Sequence, residues 1–228
     1  MPLLRQAAML LNFDIEPSAI AEHDHWHTHE HLPERLSIPG FRRGTRWVAV
    51  SGAPRYTVLY EVDRLETLGS AAYLARLNDP TPWTRKMMPY YRGMSRGLCT
   101  VNGSWGHGLG HFALLLRFAS TDEARAGVHA ALATRLPGLP SRPGLVSVHW
   151  LTGALAAAMT SEQRIRGADA GVDGALLVTG YELEAVEALQ AGELSPAALQ
   201  AHGAIDLVSG IYRSACTLTA DEARPSTP

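Results

Sequence analysis

Apolar residues along this chain fall into short runs whose period changes from segment to segment. Ala7 to Asp14 is an almost unbroken apolar run of strand length. Arg42 to Ser51 alternates, with Arg43, Thr45, Trp47 and Ala49 set against Arg42, Gly44, Arg46 and Val48, the pattern of a half-buried strand. Tyr56 to Val62 and Arg96 to Val101 give a third and a fourth strand. Between the first two, the residues sort by helical angle at about 100° per step. Ile20, His27 and His31 share one face, His23 and Asp24 flank it, and His25 and His29 point the opposite way. Pro17 and Ser18 can open this helix. Pro33 is expected to end it after Leu32, because proline lacks an N–H and its ring strikes the preceding turn. Leu65 to Leu77 reads as a second helix with Leu68, Ala72 and Ala75 inward. Asn78 to Thr84, with Pro80 and Pro82, is expected to be irregular. The order is β-α-β-β-α-β, the ferredoxin-like unit.

The same pattern recurs in the second half. Met9-Leu10-Leu11-Asn12-Phe13 matches Leu114-Leu115-Leu116-Arg117-Phe118, His31-Leu32-Pro33 matches Arg135-Leu136-Pro137, and Pro39-Gly40-Phe41 matches Pro143-Gly144-Leu145. Arg46-Trp47 is set against His149-Trp150, and Arg96 to Val101 against Arg213 to Leu218, which puts Cys99 and Cys216 at equivalent positions. The spacing is nearly constant through Trp150 and then grows by an insertion around Gly153 to Gly174. A four-stranded sheet with helices on one face leaves its other face bare, and two such sheets can cover each other. The expected architecture is α+β: two tandem ferredoxin-like (βαββαβ) repeats forming an intrachain pseudo-dimeric α+β barrel. Residues 1–103 would form the first repeat, 104–110 a glycine-rich linker, 111–220 the second repeat and 221–228 a disordered tail.

Composition narrows the class of function. The 228 residues carry a formal net charge of −2, which gives no electrostatic footprint for nucleic acid or an anionic membrane. No apolar run approaches the roughly 20 residues that span a bilayer. Met1 to Gln6 lacks the features of a signal peptide, and two cysteines are too few for a disulfide framework, so a cytoplasmic protein is expected. Gly103 to Gly110 joins the repeats and does not open a helix after a strand, so it is not a phosphate loop.

Half of the ten histidines lie between His23 and His31. The phrase Trp26-His27-x-x-Glu30-His31-Leu32-Pro33, followed by Pro39-Gly40-Phe41 and Arg46, resembles the EthD-like branch of the dimeric α+β barrel superfamily. The resemblance covers the first half well and the second only in outline. That superfamily includes cofactor-independent monooxygenases, polyketide cyclases, muconolactone-type isomerases and haem-dependent chlorite dismutase relatives. The resemblance therefore implies a small-molecule enzyme without bound cofactor, using acid–base or oxygenase-type chemistry on an aromatic or polyketide-like ligand, and association as a homodimer. It carries over to His27 and His31 alone. In the second half Arg135 stands where His31 would be and Ala131 where His27 would be, so that half reads as structural.

The residues themselves support this reading and leave others open. Imidazole titrates near neutrality, so His27 and His31 suit acid–base catalysis. Arg46 can hold a carboxylate or phenolate, although strand alternation does not decide whether it faces the helix or the barrel interior. Trp26 and Tyr73 can line a cavity for a planar molecule, and Trp83, between prolines, can act as a lid over its mouth. Alternatively both histidines are structural and bond to loop carbonyls near Pro33 and Pro39. Their i, i+4 spacing would also suit two ligands of a metal, with Asp24 or Glu30 adding oxygen, but no third ligand stands at ligand spacing and no metal site is expected. A non-catalytic ligand-binding or structural barrel is the competing class.

Overall fold

The computed structural model describes residues 3–154, 160–167 and 169–223. The apolar run at the start forms β1 (Ala7–Ile15), followed by β2 (Phe41–Gly52), β3 (Tyr56–Val62) and β4 (Tyr91–Gly106). The second half supplies β5 (Phe112–Ser120), β6 (Leu145–Gly153), β7 (Gly174–Gly180) and β8 (Ala204–Thr219). Each half is a sheet with its first and third strands central, and the two sheets join through β2 with β8 and β4 with β6 into one closed antiparallel barrel. Successive side chains on a strand point to opposite faces. Ala8, Leu10, Trp47, Leu59 and Cys99 accordingly meet Ala113, Leu115, Leu151, Leu177 and Tyr212 inside the barrel. Met9, Leu11, Phe13, Val58 and Tyr60 face the helices of the first half. Leu114, Leu116, Phe118, Leu176 and Val178 face those of the second. Burial raises the Cys99 thiol to about 12, which makes it a packing residue. Among the described residues no helix is long and apolar enough to cross a membrane.

The ladders correct two of the repeat matches. Leu11 faces Arg96 and its counterpart Leu116 faces Ser209, so Ser209 and not Arg213 corresponds to Arg96. Cys99 likewise corresponds to Tyr212, and the expected match is four residues out of register. An even shift preserves which face each residue occupies, so the pattern could not expose it. In β2 the error is a single residue: Arg46 faces Val58 and Trp150 faces Leu176, which makes Trp150 rather than His149 the counterpart of Arg46.

The histidine helix does not end at Leu32. It runs as α1 (Ile20–Trp26), a π-helical turn (His27–His31) and α2 (Leu32–Leu36). The Leu32 N–H bonds to the carbonyl of His27, five residues back. The wider turn lets Pro33 continue the helix, because its ring no longer meets the carbonyl four residues before it. This turn also accounts for one residue that the first half has in excess between its first two strands. Ahead of the turn His23 and His27 therefore correspond to the buried Val128 and Leu132, not to Gly127 and Ala131.

Further expectations change. Leu65 to Leu77 breaks at Ser70 into a 3-10 turn (Leu65–Gly69) and α3 (Ala71–Asn78), whose first turn Ser70 caps by accepting from Tyr73 N–H at 3.3 Å. The break resets the helix phase, so Tyr73 and Leu77 face inward while Ala72 and Ala75 are exposed. Pro82 opens α4 (Pro82–Met87) behind the cap Thr81, since the first helical position tolerates proline. Ser104–Gly106 of the expected linker belong to β4, leaving 107–111 as the turn. The second half adds α5 (Asp122–Arg135), α6 (Ser161–Arg166), α7 (Leu183–Ala191) and α8 (Pro196–Gln200). α6 belongs to the insertion. Of the expected tail, 221–223 form a turn and 224–228 lie outside the described residues.

Both Pro-Gly turns place glycine in the left-handed region, Gly40 at φ 93° and Gly144 at φ 83°. A Cβ on Gly144 would fall 2.4 Å from that of Ala185. Gly144→Ala should lower the unfolding free energy by about 1–3 kcal/mol, seen as a shift of the urea midpoint with an unchanged slope.

Candidate functional site

The inner face of α1 and the π turn presents three imidazoles in a column. The His23 and His27 rings lie 5.5 Å apart, as do those of His27 and His31, and all three residues are buried. His25 and His29 are exposed, as their angle on the helix implies. Trp26 packs 4.4 Å from the His31 ring, and its Nε1–H donates to Glu30 at 3.1 Å. His23 is hydrogen-bonded, with Nδ1 3.4 Å from the Asp24 carboxylate and Nε2 3.4 Å from the Tyr91 hydroxyl. By contrast, the Nδ1 atoms of His27 and His31 are buried with no hydrogen-bond partner among the described residues. The Glu34 carboxylate comes to 4.0 Å of His31 Nδ1, beyond a hydrogen bond, and no loop carbonyl near Pro33 or Pro39 takes that place.

Electrostatics in this column favour the neutral imidazole. Burial pushes His31 well below its ordinary value, and the Arg35 and His27 charges act in the same direction. Burial does the same for His27, reinforced by His23 and Arg46. Burial also lowers His23, against the opposing pull of Asp24.

Arg46 faces the helix. Its Nη1 donates to the Asp24 carbonyl at 3.3 Å and its Nη2 to Thr28 Oγ1 at 3.0 Å, so the guanidinium ties α1 to β2. Trp83 lies on the outer side of α1, where its ring meets His25 edge-on at 5.4 Å and its N–H donates to Glu22 at 3.2 Å. Neither residue lines the small cavity beside His31. That cavity, of about 20 Å³, is bounded by His31, Arg35, Tyr60, Tyr73 and Arg96, and is closed by Thr160, Glu162 and Arg166. Its volume suits a single water. Arg96 donates to the Tyr73 hydroxyl at 3.1 Å, whereas the Tyr60 hydroxyl has no partner among the described residues. Arg35 is fully buried and pairs with Glu162 of α6 and, at 3.3 Å, with Glu34. The structure thus brings His31 and Tyr73 together at one cavity, places Trp26 and His27 against His31, and leaves Arg46 and Trp83 elsewhere. Arg35 could have been found from the sequence, since it follows His31 by four residues. Glu162 could not, because it lies in the insertion of the other half. Among the described residues no group of three or more His, Cys, Asp or Glu side chains is arranged to hold a metal ion.

No family model and no curated protein matches the sequence. Solved structures do. The chain is similar over 100% of its length, and over 99% of the other chain, to an anthrone oxidase-like protein, with a TM-score of 0.71 and 14% identity. It is similar over 95% of both chains to a protein provisionally named a monooxygenase from Fusobacterium nucleatum subsp. nucleatum, with a TM-score of 0.57 and 6% identity. A chlorite dismutase from Candidatus Nitrospira defluvii aligns over 95% of this chain and 92% of its own, with a TM-score of 0.52 and 12% identity. The chain therefore has the ferredoxin-like dimeric α+β barrel fold, with both halves of the barrel in one polypeptide.

The buried imidazoles make stability depend on pH. Their folded-state values lie below the ordinary value of about 6.5, so the unfolded chain takes up more protons as pH falls through 6.5. The stabilisation is present above that pH and is lost on going toward the folded-state values, at up to about 1.4 kcal/mol per pH unit for each histidine. Asp63, held at about 2 by Arg42, adds its own loss only below the ordinary carboxylate range. Urea unfolding of His27→Leu, which installs the residue found at Leu132, should show a flatter decline between about pH 6.5 and 5 than the parent chain. An identical slope would contradict the assignment.

Proposed function

We propose that this protein is a small-molecule enzyme of oxygenase type, acting on an aromatic or polyketide-like ketone, with its chemistry centred on His31. One observation carries the reading. Two residues lining a single buried cavity, His31 and Tyr60, each keep a polar atom without a partner. Leaving a buried polar group unpaired costs about 1–3 kcal/mol, and a molecule bound in the cavity could give both groups a partner. The names of the anthrone oxidase-like and monooxygenase neighbours agree with this class.

The residues suggest how such a reaction would run. A neutral His31 accepts a proton from a carbon made acidic by an adjacent carbonyl. The Arg96 guanidinium, and the Tyr73 hydroxyl once its proton turns from Met9 Sδ, then steady the enolate oxygen. The electron-rich carbon reacts with dioxygen directly, so the substrate itself supplies the electrons. For anthrone the balance is one anthrone and one dioxygen to one anthraquinone and one water. Such a molecule needs a pocket of a few hundred Å³, so α6 must withdraw to admit it. The barrel closes within one chain, and this site draws on both halves without needing a second copy.

A non-catalytic ligand-binding barrel is the second reading, favoured by the small size of the cavity as it stands. Dioxygen consumption and anthraquinone absorbance separate the two. We expect turnover of anthrone or a related phenolic ketone above the buffer rate, reduced about 100-fold by His31→Ala and about tenfold by Tyr73→Phe. Turnover unchanged in His31→Ala, or no turnover by the parent chain, would support the non-catalytic reading.

A further inference from the structure

The helix-facing core of the second half carries an open cleft where that of the first half is full. In the first half Phe13 stacks on Tyr56 at 5.4 Å and meets the Tyr91 ring at 4.6 Å. The ladders identify the counterparts of these residues. Tyr56 stands opposite Phe13, and Gly174 opposite Phe118. Tyr91 stands opposite Ile15, and Ala204 opposite Ser120. Phenylalanine is thus kept while both of its tyrosine partners are reduced to glycine and alanine. The Arg46–Asp24 tie between strand and helix is replaced as well. Trp150 takes the place of Arg46, and the His129 ring meets Trp150 edge-on at 4.8 Å and 89°.

What remains is a cleft of about 140 Å³ between α5 and the sheet, walled by Phe118, Trp150 and His129 with Ser120, Arg125 and Asp173 around it. A Cβ on Gly174 would fall 2.8 Å from the Phe118 ring, so glycine is what allows that ring to form the floor. An apolar cavity of about 150 Å³ in a protein interior accepts benzene. The volume of this cleft, lined by Phe118 and Trp150, is that of one aromatic ring. At the mouth Arg125 is paired with Asp122 at 2.9 Å. The exposed Asp173 carboxylate makes no hydrogen bond or ion pair among the described residues, which leaves it free to accept from a hydroxyl.

We propose that this second-half cleft is a binding site for a single-ring phenol, with the ring between Phe118 and Trp150 and its hydroxyl donating to Asp173. The site is separate from the His31 cavity and does not depend on the function proposed for it.

Saturation-transfer NMR with phenol tests the assignment on the full chain. Transfer to the ring protons is expected at about 1 mM phenol, and cyclohexanol, of similar size but without a π face, should give a signal about fivefold weaker. Ser120→Trp places an indole at the mouth and should reduce the phenol signal about fivefold or more. Asp173→Asn, an isosteric change on the surface, should weaken phenol while leaving fluorobenzene unaffected. Absence of transfer to phenol, or a phenol signal that survives Ser120→Trp in a folded protein, would overturn the proposal. If Ser120→Trp does not fold, an Asp173→Asn chain that binds phenol as strongly as the parent does the same.

Discussion

Barrel closure is the constraint from which the rest of the structure follows. A lone ferredoxin-like unit has one bare apolar sheet face and two unpaired edges, both of which invite association. Pairing β2 with β8 and β4 with β6 removes the edges and turns the two bare faces into one interior. The crossing requires reach, which explains why β4 and β8 each run for 16 residues, far beyond their central neighbours. The interior then holds a shared core, while the two helix-covered faces form separate clusters outside the barrel wall.

That separation lets the halves diverge. The first filled its outer core with aromatic rings and an imidazole column, inserted a π turn that carries the helix through Pro33, and tied the helix down with Arg46. The second replaced the buried imidazoles His23 and His27 with Val128 and Leu132 and opened a cleft on Phe118. Outside the barrel wall the halves also meet through the insertion. The insertion between β6 and β7 sends α6 across to the first half, where Glu162 meets the buried Arg35. Breaking such a pair from one side leaves an uncompensated buried charge, which costs about 3–5 kcal/mol. The contact therefore holds α6 over the His31 cavity and makes the first-half site a joint product of both repeats.

Much of this was legible in the residues because strand alternation and internal repetition are strong signals. The eight-stranded barrel, the duplication and the burial of His27 and His31 with His25 and His29 outward all follow from period and angle. Register and local helix geometry are the features that period and angle do not encode. A repeat match that slips by four residues keeps every side chain on its correct face, so Arg213 passed for the counterpart of Arg96. The π turn adds one residue without disturbing the helical pattern, which hid the equivalence of His27 and Leu132. Proline at Pro82 reads as a breaker in composition but serves as a first helical residue once Thr81 supplies the cap. The closing of the cavity by Glu162 and Arg166 depends on a contact across more than a hundred residues, and no local pattern encodes it.

His27 and His31 are held neutral in a buried column, with their Nδ1 atoms unpaired among the described residues. Nitrogen-15 NMR of the histidine side chains tests this directly, since the shifts of Nδ1 and Nε2 report charge and tautomer. Both imidazoles are expected to stay neutral as the pH falls through the ordinary histidine value of about 6.5. Protonation of His31 at or above that value would contradict it, because the column would then be solvated and the unpaired atom would have found water.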